Sequence, residues 1–284
     1  MRIMGKYIKR FIPEILDWKF NPKGISFYEM SYIEGKNLDL NNIRDNRFLT
    51  KKLCQILSTL YESSLKNNEK ENLNNLVIKI INKKLKPSIK ESTKSINNIF
   101  KDSKFINLEF TSELTKELDK ISSNNNLWRN HNQCLIHGDL TFENIFVNKG
   151  SMKLIDPLGS TMDIRFNRSM DQLTTPIFDF GKLLQSIVSK YESWAYLGQS
   201  DIEIYIKNFS IEEEISKIEK SINSHNVLIS FFKQYTEGNI INDGLFSLAQ
   251  ILIRVCPYRI RSNYTHSGII CLLKAYSILK YLNN

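Results

Sequence analysis

Long apolar runs are missing: no stretch of about eighteen consecutive apolar residues occurs, which argues against a membrane-spanning helix. Cysteine is scarce, and Cys54, Cys134, Cys256 and Cys271 lie far apart with no Cys-x-x-Cys pair. That spacing fits reduced thiols rather than a disulfide frame or a zinc site, and the expected location is cytoplasmic. The start, Met1 to Leu16, is basic, but charges and Pro13 interrupt it before a signal-peptide core could form. Acidic residues are outnumbered, 30 against 39 basic ones, leaving a formal charge of +9. The lysines are scattered at helical spacing among Ile and Leu, as from Lys79 to Lys94, with no Arg-rich tract and no aromatic–basic alternation. Solvated faces explain them better than a nucleic-acid surface, so no nucleic-acid partner and no membrane is expected.

What is present suits a globular chain, 42% hydrophobic and 24% charged over 284 residues. The segments Phe11–Trp18 and Ile25–Met30 read as two strands joined by turn chemistry at Asn21-Pro22-Lys23-Gly24. From Phe48 the period changes: Leu49, Leu53, Ile56, Leu57 and Leu60 make a helical stripe. Further helices are predicted over 73–85, 88–100 and 112–121, and after Pro176 the chain reads helical. The exception is the alternating stretch Ile202-Glu203-Ile204-Tyr205-Ile206. No internal repeat is found.

The chemistry concentrates in His137-Gly138-Asp139-Leu140-Thr141-Phe142-Glu143-Asn144. Asp139 and Asn144 are five apart in a turn. A tight turn at 148–151 and a strand, Met152-Lys153-Leu154-Ile155, then lead to Asp156. The spacing gathers three oxygen-bearing side chains at the rim of one small hairpin. Magnesium prefers such oxygens, keeps several waters and is shared with substrate phosphates. A nearby carboxylate that does not bind the metal can orient a hydroxyl and take its proton.

This arrangement resembles the catalytic loop of the protein kinase-like superfamily, and more closely its aminoglycoside phosphotransferase and choline kinase branch. The resemblance rests on His137, Gly138, Asp139, Asn144, Ile155 and Asp156. It extends to Tyr28–Gly35, which is similar to the segment joining the two lobes, and to Ile177–Gln185, similar to the helix that buttresses the loop. It implies Asp139 as base, His137 shaping the turn, and magnesium on Asn144 and Asp156. Met30 becomes the residue guarding the adenine pocket, with the backbone at Ser31 and Ile33 binding adenine. ATP and magnesium are the implied cofactors. Asp179-Phe180-Gly181 spells the protein kinase metal motif but precedes a helix, so Asp179 is assigned a structural hydrogen-bonding role instead.

The fold class implied is α+β and protein kinase-like, with a small strand-rich lobe over 1–34 and a mainly helical lobe over 35–284. The family anchors phosphates with a glycine-rich loop and a strand lysine ahead of the hinge. The residues before Met30 hold only the glycines Gly5 and Gly24, with no Gly-x-Gly, and Lys6 and Lys9 are the only lysines ahead of the first expected strand. Met1–Arg10 looks more like the end of a helix. The small lobe is therefore expected to be residual. An active phosphotransferase and a catalytically silent kinase-fold binding protein both remain open.

The acceptor is expected to be a hydroxyl on a small molecule. Asp163, Arg165, Arg168, Asp171 and the segment Arg254–Arg261 are candidates for its pocket. The bland reading of Arg254, Arg259 and Arg261 is a solvated helix end. Facing the cleft, they would suit phosphate or carboxylate. A polycationic aminoglycoside would need an acidic cleft, and Glu212-Glu213-Glu214 is the main acidic run. A neutral or anionic sugar or small alcohol is the expected acceptor.

Overall fold

The computed structural model describes residues 8–19, 27–39, 47–65, 70–71, 73–99, 108–124, 126–157 and 175–284. The predicted turn at Asn21–Gly24, the early Lys6, and Asp163, Arg165, Arg168 and Asp171 lie outside these residues. The protein is α+β, dominated by helices with short strands. Its contacts define two compact units, Met1–Glu69 with Asn132–Asp179, and Lys70–His131 with Phe180–Asn284. These units partition the chain differently from the lobe boundary expected after Glu34.

In the first unit, Ile15–Lys19 pairs antiparallel with Phe27–Met30, with a bulge between Ile15 and Asp17. The expected hairpin is therefore present, entered through a 3-10 turn at Lys9–Phe11. A three-stranded sheet follows, in which Ile145–Asn148 lies between Lys36–Asn37 and Ser151–Leu154. Lys149 and Gly150 both have positive φ, 45° and 81°. Such a two-residue turn matches the twist of the strands it joins. Helix Arg47–Ser64 buries the stripe read from the sequence, from Leu49 to Leu60.

The second unit is helical. Helices Ile240–Arg261 and Thr265–Asn283 pack along each other and form its centre. Around them lie Lys86–Ile99, Leu108–Asn124, Gln199–Lys207 and Ile211–Ser224. Two expectations change here. The predicted break between residues 85 and 88 is absent, and helix continues from Asn74 to Ile99 through a π turn at Ile81–Leu85. There the Lys86 amide reaches back to the Ile81 carbonyl. The register slips by one residue immediately before Pro87, which has no N–H to give.

The alternating stretch Ile202–Ile206 is helix, within Gln199–Lys207. Its apolar residues at 202 and 206 also satisfy a helical stripe, and the helix packs on Thr265–Asn283. Ile206 is buried there while Ile204 stays exposed. Helix Ile240–Arg261 is long and apolar enough by length and composition to cross a bilayer, although no uninterrupted run marks it, and 72% of its most apolar window is buried within the protein.

Candidate active site

The site is built in the first unit around one buried carboxylate. Pro176 occupies the first position of a helix, where its missing N–H costs nothing. Asp179 then falls in that helix's first turn, fully buried. Its Oδ2 accepts from the His137 amide at 2.8 Å and from the Tyr61 hydroxyl at 2.8 Å. Its Oδ1 accepts from the Gly138 amide at 2.7 Å. Burial raises its pKa to about 6, against the pull of these three bonds. Asp179 thus holds the structural place expected of it, tying down the loop's first turn.

That turn is sharp. Gly138 has φ 83°, a conformation that a side chain opposes. The Asp139 amide donates to His137 Nδ1 at 3.3 Å, so the imidazole folds back within the loop. His137 is fully buried, and burial lowers its pKa to about 4, opposed by Asp139, the Ile155 backbone and Asp156. The ring is neutral near pH 7 and shapes the loop.

Beyond the turn the side chains face outward. Asp139 and Asn144 are half-buried. Asn144 Nδ2 donates to the Asp139 carbonyl at 2.8 Å and to Asp139 Oδ2 at 3.0 Å. The amide nitrogen is committed to Asp139, so the amide oxygen points the other way. The Asn144 carbonyl accepts from the Ile155 amide at 3.0 Å, which places the end of the hairpin strand beside the loop. Asp156 follows, exposed and with φ 49°. Among the described residues no cluster of three His, Cys, Asp or Glu could hold a metal ion by itself. An Asn oxygen and one carboxylate, completed by phosphate and water, are a donor set that suits magnesium rather than zinc.

The predicted hinge adjoins this sheet. Met30 pairs with Ile15 at the end of the hairpin. The Ser31 amide donates to the Glu14 carbonyl at 2.8 Å, and the Glu14 amide returns a bond to Ser31 Oγ at 3.0 Å. At Ser31 the backbone carbonyl is therefore the group left for a ligand. Ile33, half-buried, donates its amide to no backbone acceptor among the described residues. Gly35, with φ 140°, then approaches the Val147 carbonyl so closely that a Cβ would lie 2.6 Å from its oxygen. Lys36 and Asn37 continue opposite Val147 and Phe146. The segment that follows the predicted hinge, Lys36–Asn37, thus joins the sheet of the Ile145–Leu154 hairpin, while Phe27–Met30 belongs to a separate two-stranded sheet.

Two supports escape a reading of the sequence. Tyr61 sits on the same stripe as Leu57 and Leu60, so periodicity marks it only as core. Ser64 Oγ accepts from the Leu135 amide at 2.9 Å, fixing the approach to the loop. Of the acceptor candidates in the second unit, Arg261 is exposed and paired with Glu91. Arg259 departs from the solvated reading: it is buried among tyrosines.

No family model matches this chain. No curated protein sequence matches it either. Four chains of solved structure do. One is a glucosamine kinase, 10% identical with a TM-score of 0.55, the match covering 96% of this chain. The chain spans 65% of that protein's length. At this identity the likeness is one of fold alone: the chain shares its fold with that structure.

Proposed function

We propose that the protein is an ATP- and magnesium-dependent phosphotransferase acting on a hydroxyl of a sugar or small alcohol. The observation that carries this reading is the Asn144 amide, whose nitrogen is held by Asp139 and whose oxygen is left for a cation. Asp139 Oδ1 and Oδ2 serve as the base. The acceptor oxygen attacks the γ-phosphorus, its proton passes to Asp139, and the bond to the bridging oxygen breaks to release ADP. Asn144 and Asp156 would hold magnesium, which when bound would offset negative charge on the phosphate oxygens. The Ser31 carbonyl and the Ile33 amide offer an acceptor and a donor to adenine beside Met30. His137 and Asp179 do not touch the reacting atoms; they position the loop.

The solved neighbour is named for a sugar acceptor, which supports a sugar here. The +9 charge favours a neutral or anionic one over a polycation. The test is ADP release from Mg-ATP across neutral sugars, sugar acids, amino sugars and small alcohols. Asp156→Asn should lower turnover at least tenfold and raise the magnesium needed for half-maximal rate. An unchanged magnesium requirement in that variant contradicts the metal assignment. Nucleotide binding with no turnover on any acceptor fits a silent kinase-fold binding protein instead.

A further inference from the structure

Arg259 presents a different problem of charge. It lies in the last turn of helix Ile240–Arg261 and is only 5% exposed. Its guanidinium carbon sits 5.0, 4.9 and 5.5 Å from the ring centres of Tyr191, Tyr196 and Tyr264. Both Nε and Nη2 donate to one atom, the Tyr191 hydroxyl oxygen. The groups that act on its charge are tyrosines, and no carboxylate among the described residues pairs with it. Its neighbour Arg261, out in solvent, does have such a partner in Glu91.

A buried cation without an anion is unusual. Taking a guanidinium out of water is costly, and ring faces offset only part of that cost. A guanidinium carries five N–H donors in a planar fork, and the hydroxyls of Tyr191 and Tyr196 that meet it are neutral acceptors, not an anion. A carboxylate or phosphate fits that fork with two parallel bonds. Access needs little rearrangement, because the two outer rings are open to solvent: Tyr196 is 60% exposed and Tyr264 45%. The inner wall is fixed by Tyr191, whose ring packs on Trp194 at 5.0 Å. Tyr264 follows Asn263, whose φ of 65° turns the chain between the two central helices. The Tyr264 amide bonds back to the Arg259 carbonyl at 2.8 Å.

We propose that Arg259, with Tyr191, Tyr196 and Tyr264, forms a recognition site for an oxyanion, a carboxylate or phosphate carried by a small molecule. The site lies wholly in the second unit and does not depend on the phosphotransfer reading. The test titrates inorganic phosphate, and separately citrate, into the full chain without nucleotide or magnesium. Chloride holds the ionic strength constant, and Trp194 fluorescence is the readout, with Trp194→Phe identifying its signal. Saturable binding is expected for at least one anion, and the stronger arm identifies the oxyanion. Arg259→Lys, which keeps the charge but loses the fork, should weaken it at least tenfold. Asp156→Asn should leave it unchanged, separating this site from the metal-binding hairpin. Tyr196→Ala removes the exposed ring that lies over the guanidinium while leaving Arg259 itself in place, and should change the affinity at least threefold. No saturable binding of either anion, or equal affinity in folded Arg259→Lys or Tyr196→Ala, overturns the proposal.

Discussion

Two buried aspartates, one in each unit, use the same device for different ends. Asp179 and Asp243 each stand in the first turn of a helix, and each is fully buried. Each takes hydrogen bonds from a segment far upstream. Asp179 accepts the amides of His137 and Gly138. Asp243 accepts the Trp128 amide at 2.8 Å and the His131 ring at 3.0 Å, and its own carbonyl takes the Trp128 indole at 3.0 Å. Both anchored segments hold backbone at positive φ, Gly138 at 83° and Trp128 at 55°. What differs is the side chains that the anchored turn displays. After Gly138 come half-buried Asp139 and Asn144, whereas Trp128 and His131 are themselves buried, the indole packing edge-on to Phe246. An anchored turn with positive φ is therefore not by itself a functional site. The outward polar pair makes the difference.

The comparison is broken most severely by removing each anchor. Asp243→Ala strands the Trp128 amide and the His131 ring in the core. It should cost about 3–4 kcal/mol by denaturant unfolding, with activity falling only as the folded fraction falls. Asp179→Asn keeps one acceptor oxygen and brings an N–H toward buried donors. It should cost about 2–3 kcal/mol and lower turnover beyond what the folded fraction explains. Equal proportionality in both variants would erase the distinction. Gly138→Ala comes next, at about 1–2 kcal/mol for a side chain forced to positive φ. Tyr61→Phe is smallest, about 1 kcal/mol for one hydrogen bond. It also removes a group that lowers the Asp179 pKa, so the carboxyl should titrate at higher pH.

The pH dependence of stability carries opposite signs at the two buried groups of the loop. The Asp179 pKa is raised to about 6 from 3.8, so its contribution is fully present below the lower value and is lost as pH rises through about 6. The His137 pKa is lowered to about 4 from 6.5, so its contribution is present above the upper value and is lost as pH falls through about 4. Between roughly pH 4 and 6.5 the two largely offset each other in the native protein. In Asp179→Asn the His137 loss is unmasked, and the variant should lose stability more steeply on acidification through this window. Parallel pH profiles for the two proteins contradict this assignment.

The turn at Gly138 and the two hairpins were legible because their information is local. Gly138 and Gly150 mark turns, Asp139 and Asn144 share one turn, and Met152–Asp156 reads as a strand from its own residues. The stripe of Arg47–Ser64 was legible for the same reason. Long-range pairings were not. Nothing near Tyr61 marks its hydroxyl for Asp179, 118 residues away. Nothing near Arg259 marks Tyr191 as its partner, so a buried cation read as a solvated helix end. Local patterns also misled where two periods coincide. Ile202 and Ile206 fit both alternation and a helical stripe, and packing against Thr265–Asn283 decided for helix. The gap expected between the helices over 73–85 and 88–100 is bridged because the π turn at Ile81–Leu85 leaves no mark in the sequence.

The central claim is that the anchored loop presents Asp139 to an acceptor hydroxyl while Asn144 and Asp156 serve the metal-bound nucleotide. It is tested most directly by measuring turnover and Mg-ATP stabilisation on one preparation of Asp139→Asn. The account predicts turnover reduced at least a hundredfold, as loss of a general base entails. The rise in melting temperature on adding Mg-ATP should stay close to that of the native protein. Turnover equal to the native protein's would contradict it.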